Sequence, residues 1–183
     1  MRIIAGRFKG RRIATPKGRG TRPTTDRNRE ALFSALAHQL GQDFSGHTVV
    51  DLFAGTGALG FEALSRGAET TTFVENNAKV VDALKASAEQ LGVQQVSHIV
   101  RGDAMKLTRG GPYTLVFSDP PYDKEIAAQS LLKLHEAEIT RPNTLYCVDA
   151  SQREIASFEA PPFVGLWSKH VGASYLAILE IHL

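Results

Sequence analysis

The chain has 183 residues, 43% hydrophobic and 22% charged, which is the composition of an ordinary globular protein large enough to bury a substantial core in one domain. Its one cysteine, Cys147, excludes an internal disulfide, its six histidines show no metal-ligand spacing, and no apolar run nears the roughly 20 residues that span a bilayer. The net charge of +2 conceals an asymmetry: residues 1–30 hold ten Lys or Arg against Asp26 and Glu30, leaving the rest net acidic. A basic arm on an acidic body points to a polyanionic partner.

In chain order, Arg2-Ile3-Ile4-Ala5 and Arg11-Arg12-Ile13-Ala14 read as two short strands around a turn, able to dock on the body. Charges at the start of the chain occupy the place of a signal peptide's apolar core, so a cytoplasmic location is expected. A helix begins near Thr25. Thr24 or Thr25 can cap it, Asp26 suits its positive end, and Ala31, Leu32, Ala35, Leu36 and Leu40 form an apolar stripe that Gly41 can end. The pattern then predicts strand 48–53, helix 57–66, strand 70–75, helix 77–91, strands 96–101 and 113–118, helix 124–137 and strand 144–149. Runs 164–170 and 174–182 read as an antiparallel pair closing the sheet edge. The expected architecture is an α/β, mostly parallel sheet with helices on both faces, preceded by a basic arm over 1–24, with the main domain at 25–183. Cys147 is expected to be a buried strand thiol.

In such folds ligands bind beyond the carboxyl ends of the strands. Asp51, Glu75, Asp103 and Asp119 fall at successive strand ends. Gly55 and Gly57 let the first strand turn tightly. The run Gly55-Thr56-Gly57-Ala58-Leu59-Gly60 also satisfies the dinucleotide fingerprint, so glycine spacing alone does not choose a cofactor. Asp51, four residues before the first glycine, would repel a pyrophosphate but tolerate a cationic methionine end, which favours S-adenosylmethionine. Helix capping or surface pairing is the competing role for each carboxylate.

Ser118-Asp119-Pro120-Pro121-Tyr122 ends the strand at 113–118. Two prolines fix φ near about −65° and remove two donors, leaving carbonyls free to accept. An exocyclic base amine has its lone pair delocalised into the ring. Acceptors on its two N–H groups, from Asp119 and the Pro120 carbonyl, favour the reactive shape, and Tyr122 can stack on the base. Chemistry on a base generally requires flipping it into a pocket. The residues alone leave open guanine-N2 methylation, adenine-N6 methylation of DNA or RNA, and a catalytically silent nucleic-acid-binding module.

Three segments together resemble the bacterial 16S rRNA guanine-N2 methyltransferases of the RsmD type. They are Pro23-Thr24-Thr25-Asp26-Arg27-x-Arg29-Glu30-x-Leu32-Phe33, Asp51-Leu52-Phe53-Ala54-Gly55-Thr56-Gly57-Ala58-Leu59-Gly60-x-Glu62-Ala63-Leu64-Ser65-Arg66-Gly67 and Asp119-Pro120-Pro121-Tyr122. The resemblance covers nearly the whole chain. It implies a Rossmann-like class I S-adenosylmethionine-dependent fold with a seven-stranded sheet. The implied reaction is methyl transfer to the N2 amine of one guanine in an assembling 30S subunit containing ribosomal proteins. Because no exposed apolar stripe demands a second copy, a monomer is expected. It further implies methionine-side contacts at Asp51, Gly55 and Gly57, a ribose ligand at Glu75 and an adenine ligand at Asp103. Thr25, Phe53, Ala54, Asn76, Ala104 and Asp119 would lie beside the cofactor, and Asp119, Pro120, Pro121 and Tyr122 would form the amine site. Arg2, Arg7, Lys9, Arg11, Arg12, Lys17, Arg19, Arg22 and Arg27 are the expected RNA contacts. Asp149-Ala150-Ser151 departs from the Glu-rich strand end expected of many relatives.

Overall fold

A computed structural model describes residues 1–15, 26–121 and 124–182. The expected caps Thr24 and Thr25, the basic residues Lys17, Arg19 and Arg22, and Tyr122 lie outside them. The elements run α1 (Asp26–Gln39), β1 (Thr48–Asp51), α2 (Ala58–Ser65), β2 (Thr70–Glu75), α3 (Ala78–Leu91), β3 (Ser97–Arg101), β4 (Tyr113–Ser118), α4 (Ala127–Glu136), β5 (Thr140–Ser151), α5 (Ile155–Phe158), β6 (Phe163–Val171) and β7 (Ser174–Ile181).

The strands form one seven-stranded sheet in the order β3-β2-β1-β4-β5-β7-β6. β1 to β5 pair in parallel, whereas β7 runs antiparallel to both β5 and β6. The expected terminal pair is therefore present, with the later strand inserted inside and β6 left at the edge. Strand order reverses at β1, which lies between β2 and β4.

Alternating strand side chains divide the core between two faces. Leu32, Phe33 and Leu36 of α1 and Leu59 and Ala63 of α2 pack with Val49, Leu115, Phe117, Cys147 and Ile178 on one face. Leu131 and Leu134 of α4 and Phe158 of α5 cover Val50, Val116, Tyr146, Val148 and Ala177 on the other. Cys147 is buried, and burial pushes its thiol pKa up. A third cluster joins Phe61, Leu64, Phe73, Leu84 and Ala88 to Ile3 and Ile13 of the arm.

Two predicted boundaries move by three residues or more, while β1 ends at Asp51 and β5 at Ser151, each two residues from the expected end. β5 begins at Thr140, four residues before the expected start, through a segment that includes Pro142 and an irregular register between Tyr113 and Leu115. Asn143 has φ 61° there, and Thr144 Oγ accepts from Arg141 N at 3.0 Å. α4 starts at Ala127 instead of 124, after Glu125 at φ 48°, a left-handed conformation that interrupts the helix.

The arm folds back on itself as expected, but its pairing is short: around the antiparallel Arg2–Arg12 bridge, Ile3 N donates to the Arg11 carbonyl at 3.0 Å, Gly10 N to the Ile3 carbonyl at 2.9 Å and Ile13 N to the Met1 carbonyl at 3.1 Å. Other arm amides turn to the body. Ile4 N and Ala5 N donate to the Glu62 carboxylate at 2.8 and 3.0 Å, Phe8 N to Ser65 Oγ at 3.0 Å, and Ala14 N to Ser87 Oγ at 3.0 Å. At Gly6, φ 78°, an added Cβ would strike the Ser65 backbone, so the turn seats on α2 only with glycine. Arg29 of α1, fully buried, donates to the Arg2 carbonyl at 2.6 Å and to Asp26 at 2.9 Å, tying α1 to the arm.

Candidate active site

Register carries the expected residues to one end of the sheet. Asp51 pairs with Phe73 on β2 and with Phe117 on β4. Two residues farther along lie Glu75, Phe53 and Asp119, so this level forms a row at the carboxyl ends, where the strand order reverses and where sheets of this kind hold their ligand crevice. Neighbouring strands lie about 4.8 Å apart, which sets Glu75 and Asp119 about 10 Å apart across β1.

The Gly55–Gly57 turn links β1 to α2. Gly57 has φ 77° and occupies the position before α2. A Cβ on it would come within 2.6 Å of both Leu84 and Phe61, so the turn can pack this tightly against the core only with glycine. Ala54 N donates to the Val74 carbonyl at 3.0 Å and Gly57 N to the Ala54 carbonyl at 2.6 Å.

Three of the four strand-end carboxylates brace this loop framework. Asp51, 1% exposed, lies beneath the turn and accepts from Gly60 N at 3.1 Å. Burial, reinforced by the nearby Glu75 charge and only partly offset by the Gly60 hydrogen bond, pushes its pKa up to about 7. Glu75 is half-buried; one oxygen accepts from Gly55 N at 3.1 Å and the other from Asn77 N at 2.8 Å. Asp103 is exposed and accepts from Met105 N at 2.9 Å, capping a short 3₁₀ turn that includes the buried Ala104. A carboxylate offers about four lone-pair sites. Glu75 and Asp103 therefore keep accepting capacity toward the crevice while they hold the loops. Asn76 is exposed, Phe53 and Gly55 are half-buried and Ala54 is buried, all around the same turn.

Asp119 is half-buried directly after β4, followed by buried Pro120 and exposed Pro121. Lys124 N donates to the Pro121 carbonyl at 3.1 Å. The far side of this loop is held by a residue that motif reading passed over. Glu154, 5% exposed in the turn after β5, accepts from Ala127 N at 2.8 Å and Ala128 N at 3.5 Å at the start of α4. Burial raises its pKa. Asp149 is buried on β5, opposite Leu176.

Glu62 is the second residue to which the sequence reading gave no role. It is fully buried on α2, receives the two arm amides and pairs with Arg66 at 2.8 Å. A lone acid inside the apolar segment Ala58-Leu59-Gly60-Phe61-Glu62-Ala63-Leu64 was the available signal. Because α2 starts at the glycine turn, the arm and the crevice share one helix.

The arm's expected RNA contacts form an exposed surface: Arg2, Arg7, Lys9, Arg11 and Arg12 are all exposed, as is Arg27 at the start of α1. Arg2 pairs with Asp26 at 3.4 Å, Arg11 donates to the Gln90 carbonyl at 3.0 Å, and the Arg7 guanidinium lies 4.5 Å from the Phe8 ring centroid. No helix among the described residues is long and apolar enough to cross a membrane.

The family described as conserved hypothetical protein 95 matches residues 1–180. The ribosomal RNA small subunit methyltransferase D of Haemophilus influenzae is 37% identical over 160 residues, covering 83% of this chain and 79% of the relative. Its Escherichia coli (strain K12) namesake is 36% identical over 138 residues, covering 74% and 67%. Among solved structures, the Escherichia coli protein yhhF superposes with a TM-score of 0.82 at 28% identity, covering 99% of this chain and 97% of that one. Matched over nearly its whole length in sequence and in a Rossmann-like methyltransferase fold, this chain belongs to the conserved hypothetical protein 95 family, that of the RsmD-type methyltransferases.

Proposed function

We propose that the protein transfers a methyl group from S-adenosylmethionine to the exocyclic N2 amine of one guanine in 16S rRNA, acting on an assembling small subunit in the cytoplasm. The observation that carries this reading is the juxtaposition, at the point where strand order reverses, of the glycine turn with the Asp119-Pro120-Pro121 turn. The names of the relatives, which describe small-subunit rRNA methyltransferases, supply the substrate class.

The residues fit that cofactor by the chemistry of their donor set. Acceptors dominate the crevice: Glu75 for ribose hydroxyls, Asp103 for an amino group, and Asp51 as buried negative charge under the turn. Asp51's pKa of about 7 means that a cation seated above the turn would draw its proton off. S-adenosylmethionine supplies an electrophilic methyl group when bound.

Asp119 and the Pro120 carbonyl accept the two N–H groups of the amine and orient its lone pair. Methylation would place positive charge on that nitrogen, and the Asp119 carboxylate would stabilise it. Asp119 would then take a proton from the methylated amine, because a carboxylate is a stronger base than an aromatic amine whose nitrogen lone pair is delocalised into the ring. Tyr122 stacks on the flipped base, and the basic arm holds phosphates, with ribosomal proteins completing the substrate surface.

The test is methyl transfer from labelled S-adenosylmethionine to 30S particles lacking the modification, followed by nucleoside digestion. Labelled N2-methylguanosine supports the reading; labelled N6-methyladenosine, or no transfer, overturns it. Asp119→Ala should keep cofactor affinity and lose at least a hundredfold in turnover.

A further inference from the structure

We propose that the groove between α1 and β6 is a second RNA-binding element, in which a base of the substrate strand stacks on Trp167 with its phosphates on Lys169 and Arg27. The assignment rests on the rRNA reading above.

The groove, about 400 Å³, is lined by Ala31, Ser34, Ala35, His38 and Gln39 of α1 and by Trp167 and Lys169 of β6. Its floor follows from register. Trp167 pairs with Ile178 and Lys169 with Leu176, two positions of one face, and Ile178 belongs to the core cluster that α1 covers. Trp167 is only partly buried against that cluster. Ala31, Ser34, Ala35 and His38 recur at helical spacing, and the small side chains of Ala31, Ser34 and Ala35 leave the indole approachable. Arg27, one turn before Ala31, extends this stripe and is exposed.

The chemistry selects a polyanion carrying flat rings. The lining contains no carboxylate, and Lys169 beside the indole supplies a phosphate partner. A cationic groove with an aromatic platform is the recurring means of holding single-stranded nucleic acid without reading its sequence. The groove also points to the reaction. At the start of α1, Asn28 Nδ2 donates to Ser174 Oγ at 3.2 Å, and Ser174 pairs with Ser151 at the carboxyl end of β5. From β4, which carries Asp119, to β6 is three strand spacings, about 14 Å, which a few nucleotides of extended strand bridge. The arm and this groove would thus grip the RNA on either side of the flipped base.

Trp167 is the chain's sole tryptophan, so its fluorescence reports the groove directly. The full-length protein is titrated with a short mixed-sequence single-stranded RNA while RNA anisotropy and tryptophan emission are followed together. The expected result is quenching that saturates with the anisotropy. Lys169→Glu should weaken RNA binding about tenfold and lower the salt slope by about one. Trp167→Ala should weaken it by a similar factor and Trp167→Phe should restore it, with S-adenosylmethionine binding equal in all variants. Saturating anisotropy without quenching overturns the assignment. So does emission that changes with protein concentration alone alongside dimer formation, because a second copy would then cover the groove. Methylation of 30S particles, run in parallel, separates the two readings. Transfer unaffected by Lys169→Glu overturns the groove alone, whereas wild-type protein that transfers no methyl overturns the rRNA reading and the groove with it.

Discussion

Asp51 sets a stability cost against a binding role, and the replacement Asp51→Asn measures it. The folded chain holds this carboxyl at about 7 against 3.8 for the free group, chiefly through burial. For an acid whose pKa rises on folding, the contribution to stability is greatest below 3.8 and is lost as pH rises through 7. Between pH 5 and pH 8 the unfolded chain has released this proton while the folded chain is still giving it up, which amounts to about 2.5 kcal/mol of lost stability. Asparagine keeps an oxygen to accept from Gly60 N and carries no charge. The variant should therefore be more stable than the parent, by about 2.5 kcal/mol more at pH 8 than at pH 5. Urea denaturation of both proteins at the two pH values gives this difference of differences, in which titrating groups that do not interact with Asp51 cancel. The variant should also bind S-adenosylmethionine more weakly at pH 8, because the buried negative charge is gone. A stability difference that is the same at both pH values would refute the argument that Asp51 is protonated when the crevice is empty.

Gly57→Ala places a Cβ against Phe61 and Leu84 at φ 77° and should cost about 2–4 kcal/mol in urea denaturation, through left-handed strain and overpacking together. Glu62→Ala strips the acceptor from Ile4 N and Ala5 N and the partner from Arg66. It should destabilise by about 3 kcal/mol, accelerate hydrogen exchange at those two amides and weaken RNA binding. Glu154→Ala leaves Ala127 N without its acceptor at the start of α4. It should cost about 1–2 kcal/mol and lower turnover through the loosened Asp119 loop, with cofactor affinity in a direct titration unchanged.

Local periodicity made most of the sheet legible. The apolar runs at Val49–Val50 and Leu115–Phe117 are strands buried on both faces, and Asn77 and Gly92, which cap α3, are visible in the chain itself. Contacts between distant residues account for the misses. Pro142, Asn143 and the neighbouring polar residues look like a loop, and they join β5 because Thr144 Oγ donates to the Tyr113 carbonyl 31 residues away. The start of α4 follows from Glu154, 27 residues downstream of Ala127. Likewise, the arm's docking on the body depends on Glu62, Ser65 and Ser87 claiming the amides that its own short pairing leaves over. The carboxylates at the strand ends were readable because topology alone brings strand ends together. Their internal bonds to Gly55, Gly60, Asn77 and Met105 were not.

The placement of β7 between β5 and β6 constrains the order in which this molecule can assemble. α1, an early helix, packs on a face completed by Ile178, and Asn28 meets Ser174 across 146 residues of chain. While the chain is being synthesised, α1 has no finished surface to rest on, and β5 presents a bare edge until the last strand threads in beside it. Folding of the half that carries Asp119 thus waits until β7 has been made, and its contacts between residues far apart in the chain slow that step. A nascent chain lacking β7 would expose the apolar faces of α1 and β5 together.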